Sequence, residues 1–384
     1  MLYHKRPTKD PRGASDEGAP LVFIKNYTNM HKFPYRWTLK DARFTKDKGK
    51  VFSCFACGGG STMGYKLAGF DVIGCNEIDP RMNKVYVANH HPRLNYLCDI
   101  REMVTKELPD ELYHLDVLDG SPPCSTFSMM GNREEDWGKE KHFREGQVEQ
   151  VLDTLFFDFI GLAKRLQPKV VIAENVKGLI QGEAFKYVQR IYAEFDKAGY
   201  AVLHRLLNSM TMGVPQMRER TIFCAIRKDL IQHIPTEGLF GDPYINLDFN
   251  EDEIPFGMIR NDAAGGKELS PYKLSLWEQK QPGDWDCGDV TRRIFGQERC
   301  FTDSFVFDDK VIKTINTSAL DLFMLWEKPR RLNASEVVTA STFPQDYDFG
   351  TENPAYLCGM SVPPVMMAQV ASRVYDQWLS KIPE

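Results

Sequence analysis

A thiol follows two prolines in Gly120-Ser121-Pro122-Pro123-Cys124, just beyond the apolar run Leu115 to Leu118. Each proline fixes φ and removes a backbone donor, so the chain leaves the run in one extended direction and presents Cys124 at a set angle. A buried structural thiol needs no such presentation, whereas a nucleophile does. Glu174-Asn175-Val176 closes a second apolar run, Val170 to Ala173. If the two runs are neighbouring parallel strands, the Glu174 carboxyl lies on the same sheet edge as Cys124, which pairs a nucleophile with a general acid. Taken singly, Glu-Asn reads better as a strand-end turn. Gln216-Met217-Arg218-Glu219-Arg220 adds two guanidiniums, which an extended segment would turn to one side. They could hold a base carbonyl and a phosphate, or pair with surface acids.

A second group of residues reads as a pocket for a nucleoside cofactor. Phe55-Ala56-Cys57-Gly58-Gly59-Gly60 stands where a strand hands over to a helix, and glycines there let a ligand approach the backbone. Glu77 ends the next strand candidate and could accept both hydroxyls of a ribose; Asp99, after the third, could meet an adenine amino group. Each acid alone is as good a helix N-cap. No Gly-Lys-Ser or Gly-Lys-Thr follows the glycines, which excludes a phosphate loop of that type.

These residues need a scaffold, and the chain alternates to provide one. Strand-like runs at Val51 to Ala56, Asp71 to Cys75, Leu115 to Leu118, Val170 to Ala173, Ala201 to Leu207 and Thr221 to Ile226 are separated by helical stretches. Among the helices, Val148, Val151, Leu155, Phe159, Leu162 and Leu166 recur at helical spacing until Gln167-Pro168, and Phe185 to Phe195 follows. The alternation predicts an α/β fold with a mostly parallel, doubly wound sheet. From about residue 228 to 328 the pattern gives way to Gly, Pro, Asp and Trp, which predicts a smaller irregular domain without a convincing helix. Helical signals return at Asn333 to Ala340 and after Pro363-Pro364. The expected organisation is a basic extension over 1–49, a catalytic and cofactor domain over 50–227, a second domain over 228–328 and a returning segment over 329–384.

Composition narrows the class. The chain has 384 residues and a net charge of −5, yet residues 1–50 hold twelve Lys and Arg against five Asp and Glu. Tyr27, Phe33, Tyr35, Trp37 and Phe44 are interleaved with those cations, a mixture that predicts backbone contact with a nucleic acid together with packing. Nine scattered cysteines are expected as reduced thiols, and Cys54 and Cys57 as apolar strand residues, because no second pair stands at zinc-binding spacing. The polar start of the sequence and the lack of a long apolar run predict a chain that is neither exported nor inserted in a membrane.

In their order, the glycine turn, Pro123-Cys124, Glu174-Asn175-Val176, Gln216 to Arg220 and Gly359-Met360-Ser361-Val362-Pro363 resemble the DNA cytosine-5 methyltransferases. The resemblance covers about residues 50–227 and 329–380. Cys57 stands where the family's turn usually has glycine, and Met360 where the closing motif usually has asparagine. A family arginine is missing before Thr154, where the sequence reads Leu152-Asp153. The resemblance implies a Rossmann-like fold with a target recognition domain over the irregular region, and S-adenosylmethionine as cofactor. The turn from Phe55 through Ala56, Cys57, Gly58 and Gly59 to Gly60 would surround the methionine part, with Glu77 and Ile78 at the ribose and Asp99 and Ile100 at the adenine. Ser121, Pro122, Ser361 and Val362 would complete the cofactor site.

The same resemblance implies that Cys124 attacks carbon 6 of an extruded cytosine while Glu174 hydrogen-bonds N3 and Arg220 holds O2. The expected substrate is double-stranded DNA, contacted by Ser128, Asn132, Arg133 and Arg218 and, in the second domain, by Arg292, Arg293, Arg299, Lys310 and Lys313, with Thr314-Ile315 resembling the recognition domain's threonine-aliphatic signature. A monomer in the cytoplasm, at the nucleoid, with a cognate restriction endonuclease as a further partner, is the accompanying expectation. Three competing functions are an RNA cytosine-5 methyltransferase on the same scaffold, a catalytically silent DNA-binding regulator and a nicotinamide-dependent dehydrogenase. The long variable region disfavours the first, intact Cys124 and Glu174 the second, and the absence of a clean Gly-x-Gly-x-x-Gly the third.

Overall fold

The computed structural model describes residues 31–123, 154–181, 185–238, 241–300 and 302–383. Its centre is a seven-stranded sheet built from β1 (Lys50–Cys54), β2 (Asp71–Glu77), β3 (Leu94–Leu97), β4 (Val117–Gly120), β5 (Val170–Val176), β6 (Tyr200–Asn208) and, after a two-residue β7 (Gln216–Met217), β8 (Glu219–Arg227). The order is β3-β2-β1-β4-β5-β8-β6, and β8 runs antiparallel to both of its neighbours while the other pairs are parallel. The inner strands β1, β4, β5 and β8 are covered on both faces and read as continuous apolar runs, while the edge strands β3 and β6 are partly exposed. Helices α1 (Gly60–Ala68), α2 (Pro80–His90), α3 (Ile100–Thr105), α4 (Leu155–Leu166) and α5 (Phe185–Lys197) lie between the strands. The α4 pattern begins later in the described residues than its periodicity predicts, because Val148 and Val151 lie outside them.

Two large cores flank the sheet. One gathers Phe52, Leu118, Phe156, Phe159, Val171 and Phe223; the other gathers Val51, Val117, Ile172 and Ile222 with the C-terminal helix. Leu230, Ile234, Ile245 and Leu247 belong to this second core, so the chain just after β8 packs on the sheet, with a short ribbon of β9 (Thr236–Glu237) and β10 (Asp242–Pro243).

The region expected to lack helices contains α6 (Pro271–Glu278) and α7 (Cys287–Phe295). Both start on side-chain caps, Ser270 and Asp286, and α6 has proline in its first turn, which are the signals that mark a helix too short to show a period. They surround a small core of Leu269, Leu276, Cys287, Val290, Phe305 and Met324, together with β11 (Ser304–Val306), which pairs with β13 (Phe323–Leu325). Strand β12 (Ile312–Lys313) leaves this module and pairs with β7.

The chain then returns through α8 (Ala319–Leu322), α9 (Ala334–Ala340), α10 (Pro354–Met360) and α11 (Pro364–Gln377). α11 crosses α1 so closely that a Cβ on Gly64 would lie 2.5 Å from the Pro364 carbonyl oxygen. The aromatic residues of the basic segment are packing residues where they are described. Tyr35 and Trp37 are buried, the Trp37 indole donates to the Thr342 carbonyl at 2.9 Å, and Phe33 and Phe44 pack at the edges of cores. Tyr27 lies outside the described residues. The eight described cysteines are free thiols, no described helix is long and apolar enough to cross a membrane, and no described cluster could hold a metal ion.

Candidate active site

The parallel strands deliver their C-terminal ends to one edge, and the site forms there. β4 and β5 are neighbours in register, with Gly120 opposite Ala173, so the Pro-Pro loop and Glu174 leave the sheet side by side. Asn175 ties them together: its buried amide donates to the Pro122 carbonyl at 3.1 Å. The loop that leads into Cys124 is therefore held from β5 as well as by its own prolines. Cys124, Ser128, Asn132 and Arg133 lie outside the described residues.

Glu174 is 8% exposed and faces Arg220 of β8, whose Nε lies 2.7 Å from Oε1. Arg220 also donates through Nη1 to the Glu219 carbonyl, which leaves further guanidinium N–H groups for a substrate oxygen. A carboxyl and a fork of donors thus lie beside the loop, an arrangement able to exchange a proton at one ring atom and hold a carbonyl at the next.

Arg218 does something different. It is 2% exposed, and its guanidinium donates to the Ile315 carbonyl at 3.1 Å and the Gly359 carbonyl at 3.0 Å. Gln216, also buried, joins the same seam through the Ala340 carbonyl and the Ile315 amide. The expectation that Arg218 contacts DNA is corrected: it joins β7–β8, the recognition region and the closing motif from inside.

On the cofactor side, Phe55 and Cys57 both have positive φ, 53° and 48°, so the turn curls back tightly before α1. A Cβ on Gly60 would lie 2.3 Å from the Val362 carbonyl oxygen, which is why the closing segment can seal against the turn. Between them is a narrow cleft lined by Phe55, Gly60, Ser61, Ser121, Met360 and Ser361, among others. The buried Ser361 hydroxyl has no partner there.

Glu77 is buried, and burial pushes its pKa up while three backbone N–H groups pull it down. Oε2 accepts from Cys57 at 2.6 Å, and Oε1 from Ile78 and Asp79 at 2.9 and 2.8 Å. With three of about four lone-pair sites filled, accepting both ribose hydroxyls requires one amide to yield. Asp99 caps α3 through the Arg101 amide and pairs with the Arg101 guanidinium at 3.2 Å, while Ile100 is buried in the core.

In the recognition region the structure brings Lys310 and Lys313 to the exposed Trp285, at 4.0 and 6.0 Å from its ring centre. Arg292 pairs with Asp289 and Glu298, Arg293 with Asp284, and Arg299 with the Gln297 carbonyl oxygen of its side chain. These arginines have protein partners that a phosphate would have to share. The Thr314 hydroxyl donates to the Met217 carbonyl, and Ile315 is fully buried, so that pair serves the seam.

Residues 49–376 match the family model of the C-5 cytosine-specific DNA methylases. The chain belongs to that family. It is 36% identical to the Type II methyltransferase M.FnuDI of Fusobacterium nucleatum over 47% of this chain and 48% of that one. It is 27% identical to M.BspRI of Lysinibacillus sphaericus over 80% and 74%. The chain spans about half the length of the first curated relatives it matches. Among solved structures, a DNMT2 variant from Spodoptera frugiperda has a similar fold, with TM-score 0.58 and 17% identity over 84% of this chain and 98% of that one. Asn175 was visible in the sequence only as a turn residue; its grip on Pro122 depends on two strands being adjacent, which no local pattern encodes.

Proposed function

We propose that the chain transfers a methyl group from S-adenosylmethionine to carbon 5 of a cytosine extruded from a specific duplex DNA sequence. The observation that carries this is the Glu174–Arg220 pair, at 2.7 Å, next to the Pro122 carbonyl that Asn175 holds. It supplies what an attack on cytosine needs beside the loop that leads to Cys124. As the Cys124 thiolate adds to carbon 6, ring aromaticity is lost and negative charge builds toward N3. Glu174 gives a proton to N3, and Arg220 holds O2 through the N–H groups it does not spend on Glu174 and Glu219. Carbon 5, now enamine-like, takes the methyl group that bound S-adenosylmethionine supplies. Loss of the carbon 5 proton to solvent water, expulsion of the thiolate from carbon 6 and return of the N3 proton to Glu174 regenerate the chain.

The described residues fit the cofactor. The closing segment packs its Val362 carbonyl directly against the glycine turn, the buried Ser361 hydroxyl has no partner among the described residues, and Glu77 keeps an acceptor site beside Cys57. Phe55 to Gly60, Ser121, Ser361 and Val362 would hold the methionine part, Glu77 and Ile78 the ribose, and Asp99 the adenine. Base extrusion, at a cost of a few kcal/mol, delivers the ring to this edge. The module around Trp285, Lys310 and Lys313 is the proposed reader of flanking sequence, and the cytoplasm at the nucleoid is its place of work.

Transfer of labelled methyl groups to duplex DNA, with transfer RNA as the competing acceptor, tests the proposal. Label in DNA alone is expected; label in RNA alone overturns the substrate. Cys124→Ala is expected to lose both transfer and the covalent complex with 5-fluorocytosine DNA, and an adduct retained by that variant would remove Cys124 from the mechanism.

A further inference from the structure

Asp119 is an interior residue of β4, opposite Ser53 of β1, and 1% exposed. Its carboxyl accepts from the Ser53 hydroxyl at 2.7 Å and from the Tyr65 hydroxyl at 3.2 Å. No Lys, Arg or His pairs with it among the described residues, whereas buried carboxylates are ordinarily paired. The other titratable groups whose fields reach it are Cys54 of β1, Tyr65 of α1, Tyr86 of α2 and Glu174 of β5, and Arg220 holds the last of these. Burial pushes the Asp119 pKa to about 7, against the pull of its two hydroxyl donors and with a further push from Glu174.

The same carboxyl lines the cleft between the glycine turn and the closing segment. Two acceptor-seeking features face it there. Helix α1, nine residues long, begins in the cleft with Gly60 and Ser61 and has no side-chain cap, because its N-cap is Gly59. Its first N–H groups and positive dipole end attract an anion. The Ser361 hydroxyl, 4% exposed and without a partner among the described residues, lines the same cleft next to Gly60. An unneutralised acid and an uncapped helix start within one small cleft match the two charges of an α-amino acid.

We infer that this cleft reads the amino-acid end of the cofactor, with Asp119 taking the α-ammonium group and the start of α1 with Ser361 taking the α-carboxylate. The inference rests on the proposed use of S-adenosylmethionine and adds a binding residue that lies outside the glycine turn. Ser53 and Tyr65 orient the Asp119 carboxyl, and the ligand's cation supplies the partner the apo fold lacks.

Calorimetric titration of the full chain with S-adenosylhomocysteine and with its analogue lacking the amino group tests it without turnover. At pH 8 the wild-type chain is expected to prefer the amino-bearing ligand by about 10- to 100-fold, the range for a hydrogen bond between charged groups. Asp119→Asn is expected to bring the two ligands within about threefold, with affinity for the deamino analogue unchanged. A second measurement needs no variant: below about pH 7, where Asp119 takes up a proton, the wild-type preference is expected to fall by up to about tenfold per pH unit. A preference that persists in Asp119→Asn, or stays flat with pH in the wild type, overturns the assignment alone. If the wild-type chain binds neither nucleoside, the cofactor reading falls and takes the assignment with it.

Discussion

Replacing Arg218 by methionine separates two accounts of one residue. As a phosphate contact, the role its sequence suggested, Arg218 would add little to folding. In the structure it is buried, and its two bonds reach the carbonyls of Ile315 and Gly359, 97 and 141 residues away. Hydrogen bonds to a charged donor contribute about 1.5–3 kcal/mol each, and truncation also leaves two buried carbonyls without a partner. Some of this is recovered because methionine carries no charge to desolvate. A net loss of about 3–5 kcal/mol follows. With an unfolding entropy of roughly 2.1 cal/mol/K per residue, 384 residues give about 0.8 kcal/mol/K, so Tm should fall by about 4–6 °C. Differential scanning calorimetry reads this directly, and DNA affinity measured over a salt series supplies the contrast. A lost phosphate contact would lower the salt slope by about one and leave Tm in place. A wild-type Tm together with a reduced salt slope would refute the structural account of Arg218.

Asn175→Ala should lower the single-turnover methylation rate by about 10- to 100-fold, since it releases the Pro122 carbonyl behind the nucleophile; S-adenosylhomocysteine affinity by calorimetry should change less than threefold, and an unaltered rate would contradict the positioning role. Gly60→Ala places a Cβ 2.3 Å from the Val362 carbonyl, so cofactor affinity is expected to fall at least about tenfold as the closing segment is pushed away; a Kd equal to the wild type would refute the close approach. Asp119→Asn should stabilise the ligand-free chain at pH 8 and not near pH 4. The folded chain keeps the Asp119 proton to about pH 7 while the unfolded chain releases it near 3.8, so wild-type stability declines between those values, by at most about 4 kcal/mol, and asparagine escapes the decline; urea denaturation showing the same difference at both pH values would count against this.

The strands that carry the site were legible because each is buried on both faces and so reads as a short apolar run ending in a polar or glycine-rich turn. That is why the edge holding Phe55, Glu77, Ser121 and Glu174 could be drawn from the sequence, along with the alternation that covers the sheet. The reversed strand β8 could not, since an antiparallel strand inside such a sheet carries the same apolar pattern as a parallel one. Helices α6 and α7 were missed for another reason: each spans little more than two turns and α6 carries no one-sided apolar pattern, so their caps at Ser270 and Asp286 were the plainest signals.

Side-chain roles divided along the same line between local and distant causes. Glu174 and Arg220 occupy register positions two pairs apart on adjacent strands, Glu174 facing Ile222 and Arg220 facing Val176, so their meeting follows once β5 and β8 are neighbours. Arg218, only two residues before Arg220, stands between β8 and β7, which pairs with β12, and there its surroundings come from residues near 315 and 359. In the sequence Asp119 simply follows the apolar run Leu115 to Leu118; its surroundings come from Ser53 of β1 and Tyr65 of α1. Its value lies in what the chain withholds. A buried acid given a lysine partner would be settled in the apo state and indifferent to a ligand's amino group. Left with two hydroxyl donors and no cation among the described residues, it makes folding less favourable above neutral pH, and that unmet charge is available to discriminate a ligand that brings an ammonium group.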